Sequence, residues 1–276
     1  MFEPITSIND LQKFKKDLFN GKIFVFQQSD LSLSLAQAIK KKITEKYSGE
    51  LESLHLIDKD EKISSDIVES LKNTEVFRNL FKEFLSKIGF YQGNSYWDKF
   101  RVRVAPANNK FGYRESSRIG THRDTWGTNI HQQINWWAPV SNINDTNTMI
   151  FYPEYFLKAV KNSTLTWDLN TYLEKRKQND FSYPSAPQLT EDLPENAQIL
   201  PVDIKPGEIL CFSGSHLHSS SKEKSEITRI SYEIRTICED DLNNNLQAPN
   251  IDCELRFQFP KIFRNISDNS TLKFTS

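Results

Sequence analysis

The hydrophobic period of this chain changes near residue 100, and the change limits the folds open to it. Before that point apolar residues recur every three to four positions, as on the buried stripe of a helix. Leu11, Phe14, Leu18 and Phe19 do so directly after Asn9-Asp10, residues suited to capping a helix N-terminus. Residues 35–47 read as a second helix with lysines on its outer face. Residues 76–88 read as another, with a stripe of Phe77, Leu80, Phe81, Phe84 and Leu85. One short apolar run after Gly21, Lys22-Ile23-Phe24-Val25-Phe26, reads as a strand.

After residue 100 the period is two. Phe100-Arg101-Val102-Arg103-Val104 alternates and stops at Ala105-Pro106. Further strands are expected at 130–140, 148–152, 199–204, 208–213, 227–237 and 253–259, with Pro206-Gly207 as a turn. Helices followed by many short strands make an α+β, mainly β chain. The expected architecture is a double-stranded β-helix (jelly roll) with N-terminal helices packed on one sheet. The length of 276 residues suits a single domain over 1–276, helical over about 1–95 and jelly-roll over about 98–262. Two stretches break the strand pattern. Residues 108–121 are polar, and residues 162–196 mix a short helical segment with Pro184, Pro187 and Pro194. Irregular insertions of this kind in compact domains often act as lids.

Composition narrows the function classes. Hydrophobic residues make up 37 %, enough for a core, and the net charge of −1 gives no general attraction to nucleic acid or to an anionic membrane. No apolar run approaches the roughly eighteen residues of a membrane span. The opening MFEPITSINDLQKFKKD lacks the apolar stretch of a signal peptide. Cys211, Cys238 and Cys253 are odd in number and lack C-x-x-C spacing, which suits a reducing compartment. A cytoplasmic protein is expected. Nothing in the sequence marks an oligomeric state.

Chemistry concentrates in two short segments. His122-Arg123-Asp124 places a histidine and a carboxylate at i and i+2, on one face if the segment is extended. His216 and His218 repeat that spacing after an apolar strand, and three of the five histidines fall in these two places. Two histidines and one carboxylate are the facial ligand set of non-haem Fe(II) enzymes, which leaves the opposite face of the metal open. Either distal histidine could complete it. Arg229 opens an alternating run, and its planar fork suits a two-point grip on a carboxylate; Arg235, on the same face, is the second candidate. Arg103 is placed to meet an anionic group from its strand. Trp126 follows the H-x-D segment by two positions, and Trp136 and Trp137 point to opposite faces of one strand, so at most one lines a cavity. Arg114 and Arg118 could add contacts from the polar stretch.

Residues 206–229, PGEILCFSGSHLH running on into SSSKEKSEITR, resemble the phytanoyl-CoA dioxygenase group of Fe(II)- and 2-oxoglutarate-dependent oxygenases. In that family a Pro-Gly-Asp turn and an apolar strand lead to the distal histidine. A small polar residue follows two positions later, and an arginine after about ten. Asn147 to Pro153 is similar to the family strand that ends in proline. The resemblance spans roughly 20–237, apart from 162–196. It departs at Glu208, at Ser219 where glycine is usual, and at Tyr155-Phe156. It implies His122, Asp124 and His218 as metal ligands, because Arg229 lies eleven positions after His218 and thirteen after His216. It implies that Arg229 and Ser220 hold 2-oxoglutarate. Arg103, Trp126 and Trp137 are expected from their own positions to border the substrate. The implied cofactors are Fe(II), 2-oxoglutarate as cosubstrate and O2. The implied reaction is hydroxylation of a small molecule with release of succinate and CO2, since halogenases of the superfamily carry a small residue in place of Asp124. The arginines point to a carboxylate or phosphate on that substrate.

Two other readings stay open on the residues. His216-x-His218 followed by Glu223 resembles part of a cupin-type metal motif, although the glycines of that motif are missing. The alternative is a jelly-roll module that binds a sugar or partner without catalysis.

Overall fold

The computed structural model describes residues 2–58, 60–72, 74–91, 93–107, 120–221 and 225–272. The N-terminal part alternates strands and helices: β1 (Phe2–Ile5), α1 (Leu11–Phe19), β2 (Ile23–Phe26), α2 (Asp30–Thr44), α3 (Lys62–Leu71) and α4 (Glu75–Lys87). Asp10 caps α1, its side chain accepting from the Lys13 backbone N–H. The second helix starts five residues earlier than its apolar pattern announces, because Ser29 and Ser32 form a reciprocal capping box. The part over 1–95 is mostly helical but not helical throughout. β1 and β2 lie within it and join the main sheet, β2 through antiparallel pairing with a strand nearly two hundred residues later.

The remainder supplies β3 (Ser95–Trp97), β4 (Arg101–Ala105), α5 (Thr125–Thr128), β5 (Ile134–Pro139), β6 (Met149–Phe151), α6 (Leu169–Lys177), β7 (Leu200–Pro201), β8 (Ile209–Ser213), β9 (His218–Ser220), β10 (Arg229–Cys238), α7 (Glu239–Asn243) and β11 (Arg264–Asn265). The large sheet has the order β1-β2-β8-β5-β10-β3-β11, with β4 paired to the first half of β10. The small sheet has the order β7-β6-β9, and a bridge between His122 and His218 adds the 122 segment beside β9. From β4 onward the chain passes between the sheets. It runs from β4 (large) to the 122 segment (small), back to β5, across to β6 and β7, back to β8, across to β9, and back to β10. Pro206-Gly207 makes the turn into β8, and Gly207 sits at φ +92°, a conformation side chains rarely adopt.

Strand parity divides the large sheet into two faces. On one, Phe24, Phe26, Val102, Val104, Trp136, Ile209, Ile230, Tyr232 and Ile234 pack beneath the helices against residues such as Leu18, Ile39, Phe77, Phe81 and Phe84. Trp136 lies at the centre, with the rings of Phe26, Phe81, Phe84 and Phe90 at 5.0–6.3 Å. Burying each large apolar side chain there contributes about 1.5–3 kcal/mol. On the other face Val25, Trp137, Leu210 and Phe212 meet Met149 and Phe151 of the small sheet, so the two sheets share a second core.

The expected strand over 253–259 is absent. Its carbonyl and amide groups are taken by other partners. Asn129 donates to the Leu255 carbonyl, the Glu254 N–H donates to Thr164 Oγ1, and the Phe259 N–H to the Thr128 carbonyl. Alternation was present, but the backbone groups of the run bond outside any ladder, and Phe257 is exposed. Only Leu200–Pro201 of the expected 199–204 strand is paired, and 130–133 form a turn before β5.

Candidate metal centre

His122 and His218 face each other as a hydrogen-bonded antiparallel pair. The His122 N–H donates to the His218 carbonyl at 2.9 Å, and the reverse bond is 3.0 Å. In such a pair the two side chains leave the sheet on the same side, and the imidazole centroids are 4.4 Å apart. Asp124, two residues on, turns its carboxylate between them: Oδ1 is 3.6 Å from His122 Nε2, and Oδ2 is 3.7 Å from His218 Nε2. Ligand atoms of His122, Asp124 and His218 all lie within 4.8 Å of one another, a group that could hold a metal ion.

The backbone fixes which ring nitrogen faces the centre. His122 Nδ1 lies 2.8 Å from the Gly120 carbonyl, and His218 Nδ1 lies 3.0 Å from the His216 carbonyl. A carbonyl only accepts, so each Nδ1 carries the proton and each neutral Nε2 keeps its lone pair for a metal. Burial, and then the neighbouring His122, lower the His218 pKa to about 4, so that ring is neutral at pH 7. Burial by itself would raise the Asp124 pKa. His122, His218 and Arg235 outweigh it and hold the carboxyl well below the usual range. One anionic and two neutral donors fit a divalent ion of the Fe(II) type.

Further residues hold these ligands in place. Asn135 on β5 donates from Nδ2 to Asp124 Oδ2, and its own carbonyl accepts from Gln133 Nε2 at 2.9 Å. Thr128 Oγ1 in turn donates to Gln133 Oε1 at 3.2 Å. Gly214 permits this chain, since a Cβ there would lie 2.7 Å from Gln133 Nε2. Arg123, between the two ligands, points the other way. It is buried, donates to Asp252 through Nε and Nη2, and reaches the carbonyls of Ser215, Tyr155 and Lys158 at 2.6–3.0 Å. It therefore ties the His122–Asp124 segment to the turn that leads to His218.

Arg229 and Ser220, nine positions apart, meet where β10 passes the end of β9. Arg229 Nη2 is 3.4 Å from Ser220 Oγ, Nη1 donates to the Asn147 carbonyl at 2.9 Å, and the guanidinium lies 5.9 Å from the Trp137 ring. Ala105, Asn147, Ser220, Ser221 and Arg229 line one small cavity. Trp137 faces the inter-sheet core beside that arginine, whereas Trp136 faces the helices. Arg235 is engaged elsewhere, with Nε and Nη2 both 2.6 Å from Asp98 Oδ2.

Trp126, expected to border the substrate, lies in a small satellite core. Its side chain has no exposed surface, packs with Ile150, Tyr152, Tyr155 and Leu217, and donates from Nε1 to Asp252 Oδ1 at 2.7 Å. The short helix α5 begins directly after Asp124 and turns the indole into this satellite core. Arg103 donates to Glu233 Oε1 at 2.7 Å and stays partly exposed. Of the two distal histidines the cluster takes His218. His216 is buried among Phe151, Phe156 and Phe212. His131 and His55 meet Ser215 and Thr228 hydroxyls. Arg114, Arg118 and Glu223 lie outside the described residues. Sequence reasoning passed over Asn135, Glu233 and Asp98. Asn135 had a signal, as a polar residue at inward parity in the apolar strand INWWAP, and so did Glu233, in step with Arg229 on β10. Asp98 and Asp252 had none, since loops bring them in.

Neither a family model nor a curated protein matches the chain. Among solved structures it is similar to the non-heme monooxygenase ThoJ in its apo form, at 11% identity and a TM-score of 0.47, over 83% of this chain and 76% of that one. It is similar to EvdO2 from Micromonospora carbonacea var. aurantiaca complexed with 2-oxoglutarate, at 10% identity and a TM-score of 0.48, over 85% and 93%. It is also similar to SnoK, a non-heme alpha ketoglutarate dependent carbocyclase from nogalamycin biosynthesis, at 13% identity and a TM-score of 0.44, over 94% and 98%. At such identities and scores the functional reading rests on the site itself. No helix among the described residues is long and apolar enough to cross a membrane.

Proposed function

We propose that this chain is a non-haem Fe(II)- and 2-oxoglutarate-dependent dioxygenase of the phytanoyl-CoA dioxygenase-like kind, hydroxylating a small molecule with release of succinate and CO2. The observation that carries the reading is the convergence of His122 Nε2, His218 Nε2 and the Asp124 carboxylate, with both Nδ1 protons bound by carbonyls. The alternation of the chain between the two sheets supports a jelly-roll core holding that cluster between them. When bound, the metal and 2-oxoglutarate supply the oxidising chemistry, and the protein supplies position and shelter.

The residues divide that work. His122, Asp124 and His218 would hold the ion, and its remaining positions would take the 2-oxo acid and O2. Arg229 with Ser220 grips the far carboxylate of 2-oxoglutarate, and Trp137 walls that pocket with apolar surface. A cupin-type site would draw its ligands from the 216–223 region, whereas this cluster takes two of three from the 122 segment.

Anaerobic titration with Fe(II) and 2-oxoglutarate tests the assignment through the weak visible charge-transfer absorption of the chelate. The absorption is expected in the native protein and absent in His218→Ala. Arg229→Ala should need more 2-oxoglutarate to reach it while binding metal normally. Metal binding with no such absorption would refute the cosubstrate assignment.

A further inference from the structure

Asn147 carries a buried side-chain donor that the chain itself leaves without an acceptor. The residue is 5 % exposed, and its Nδ2 meets no hydrogen-bond partner. Buried polar groups are nearly always paired, because an amide taken out of water alone loses hydrogen bonds that it does not regain. An unpaired one therefore calls for water or a ligand.

The direction of this amide is set by its own loop. Asn147 Oδ1 accepts from the Asn144 N–H at 2.8 Å. Asn144 Oδ1 in turn accepts from the N–H groups of Thr146 and Asn147 and from Thr146 Oγ1, at 2.7–3.2 Å. With the Asn147 oxygen committed to Asn144, the NH2 is the end left to donate.

The surroundings say what it would meet. Asn147 lines one small cavity with Ala105, Ser220, Ser221 and Arg229. Its backbone carbonyl accepts from Arg229 Nη1 at 2.9 Å, and Nη2 of the same guanidinium is 3.4 Å from Ser220 Oγ. Among the described residues that line the cavity none is acidic and one is cationic, so an anionic acceptor suits the amide better than water does. The same wall leads to the metal centre. Ser220 lies two residues beyond His218 on β9, so both side chains leave the strand on one face.

We propose, resting on the oxygenase reading above, that Asn147 is a binding residue for the cosubstrate: its Nδ2 donates to the far carboxylate of 2-oxoglutarate alongside Arg229 and Ser220. Asn144 is then a positioning residue, which acts only by turning the amide. The added donor makes the pocket more selective for a 2-oxo acid that ends in a second carboxylate.

Anaerobic calorimetric titration of the Fe(II)-loaded protein with 2-oxoglutarate, and separately with 2-oxobutanoate, isolates this contact. The two acids chelate a metal alike, and 2-oxobutanoate carries a hydrogen in place of the far carboxylate. Asn147→Asp keeps the side-chain volume and the acceptor for the Asn144 N–H, but turns the donor into a carboxylate oxygen. It should bind 2-oxoglutarate roughly tenfold more weakly or worse, as loss of a hydrogen bond to a charged group does, with 2-oxobutanoate affinity unchanged within about twofold. Asn147→Leu, with neither donor nor charge, should show the same pattern at smaller size. Circular dichroism and Fe(II) affinity of each variant check folding. The proposal is overturned if Asn147→Asp binds 2-oxoglutarate as the native protein does, which leaves water as the partner of the amide. It is also overturned if both acids weaken together, which makes Asn147 a structural residue of its loop. Failure of the oxygenase reading looks different: neither acid then binds the native Fe(II)-loaded protein, and this proposal falls with it.

Discussion

Asn135 donates its side-chain amide to Oδ2 of Asp124, and so couples the large sheet to the one anionic ligand of the metal centre. The direction of that amide is not free. Its oxygen accepts from Gln133, whose own oxygen accepts from Thr128, so the NH2 must face the carboxylate. An oxygen occupied in this way leaves Oδ1 of Asp124 as the better donor to a metal ion. Asn135→Ala should leave the fold intact and lower Fe(II) affinity or turnover about 10–100-fold, as loss of an outer partner of a metal ligand does. Fe(II) titration and 2-oxoglutarate consumption read this. Unchanged values in both would show that the amide has no part in positioning the ligand.

The two distal histidines make a clean contrast. His218→Ala removes a ligand atom and should abolish metal binding. His216 packs against three phenylalanine rings and contributes no atom to the cluster. His216→Leu should therefore retain metal affinity within a few-fold, with stability near that of the native protein. Loss of metal in His216→Leu would move the third ligand and favour a cupin-like arrangement.

Arg123 and Asp252 form a nearly solvent-free pair that joins the ligand segment to the C-terminal loop. Burial pulls the Arg123 pKa down, and Asp252 opposes it. Asp252→Ala leaves the guanidinium buried without its counter-charge and also frees the Trp126 indole N–H. A loss of about 3–5 kcal/mol in unfolding free energy is expected, since breaking one side of a buried pair is costly. Denaturant unfolding measures it. A loss below about 1 kcal/mol, the scale of an exposed pair, would mean that water enters this loop.

Much of this was legible in the residues, for identifiable reasons. His122, Asp124 and His218 stood out because metal ligands need particular side chains at short spacing, and parity alone places i and i+2 together. Trp136 and Trp137 were correctly sent to opposite faces by the same parity. For Trp126 parity carries no information past the strand end: α5 starts one residue after Asp124 and turns the indole into a separate core. The run 253–259 alternates like a strand but pairs with none, and pairing is a tertiary fact that no local pattern contains. β2 was recognised as a strand, yet its place beside β8 depends on a contact nearly two hundred residues distant. Asp98 and Asp252 come from loops whose partners are set only by the completed fold.

The buried histidines also set how stability responds to acid. Burial, reinforced by Arg123, lowers the His131 pKa to about 4, with Asp252 opposing; burial, His218 and Arg123 lower that of His216 to about 3. In the unfolded chain both return to about 6.5, so between these values the unfolded state binds more protons than the folded state. The contribution of each neutral ring is complete above about pH 6.5 and is lost as pH falls toward the folded values, at up to about 1.4 kcal/mol per pH unit for each group. The carboxylates held low, Asp124 and Glu233, add their own loss only below about pH 5, where an unfolded carboxyl begins to protonate. Urea unfolding of the metal-free protein between pH 7.5 and 5 therefore isolates the histidines. Midpoints should fall steadily below pH 6.5, and His216→Leu should flatten that slope by close to one proton. A midpoint that holds constant down to pH 5 would mean that these rings are hydrated or already charged in the folded chain.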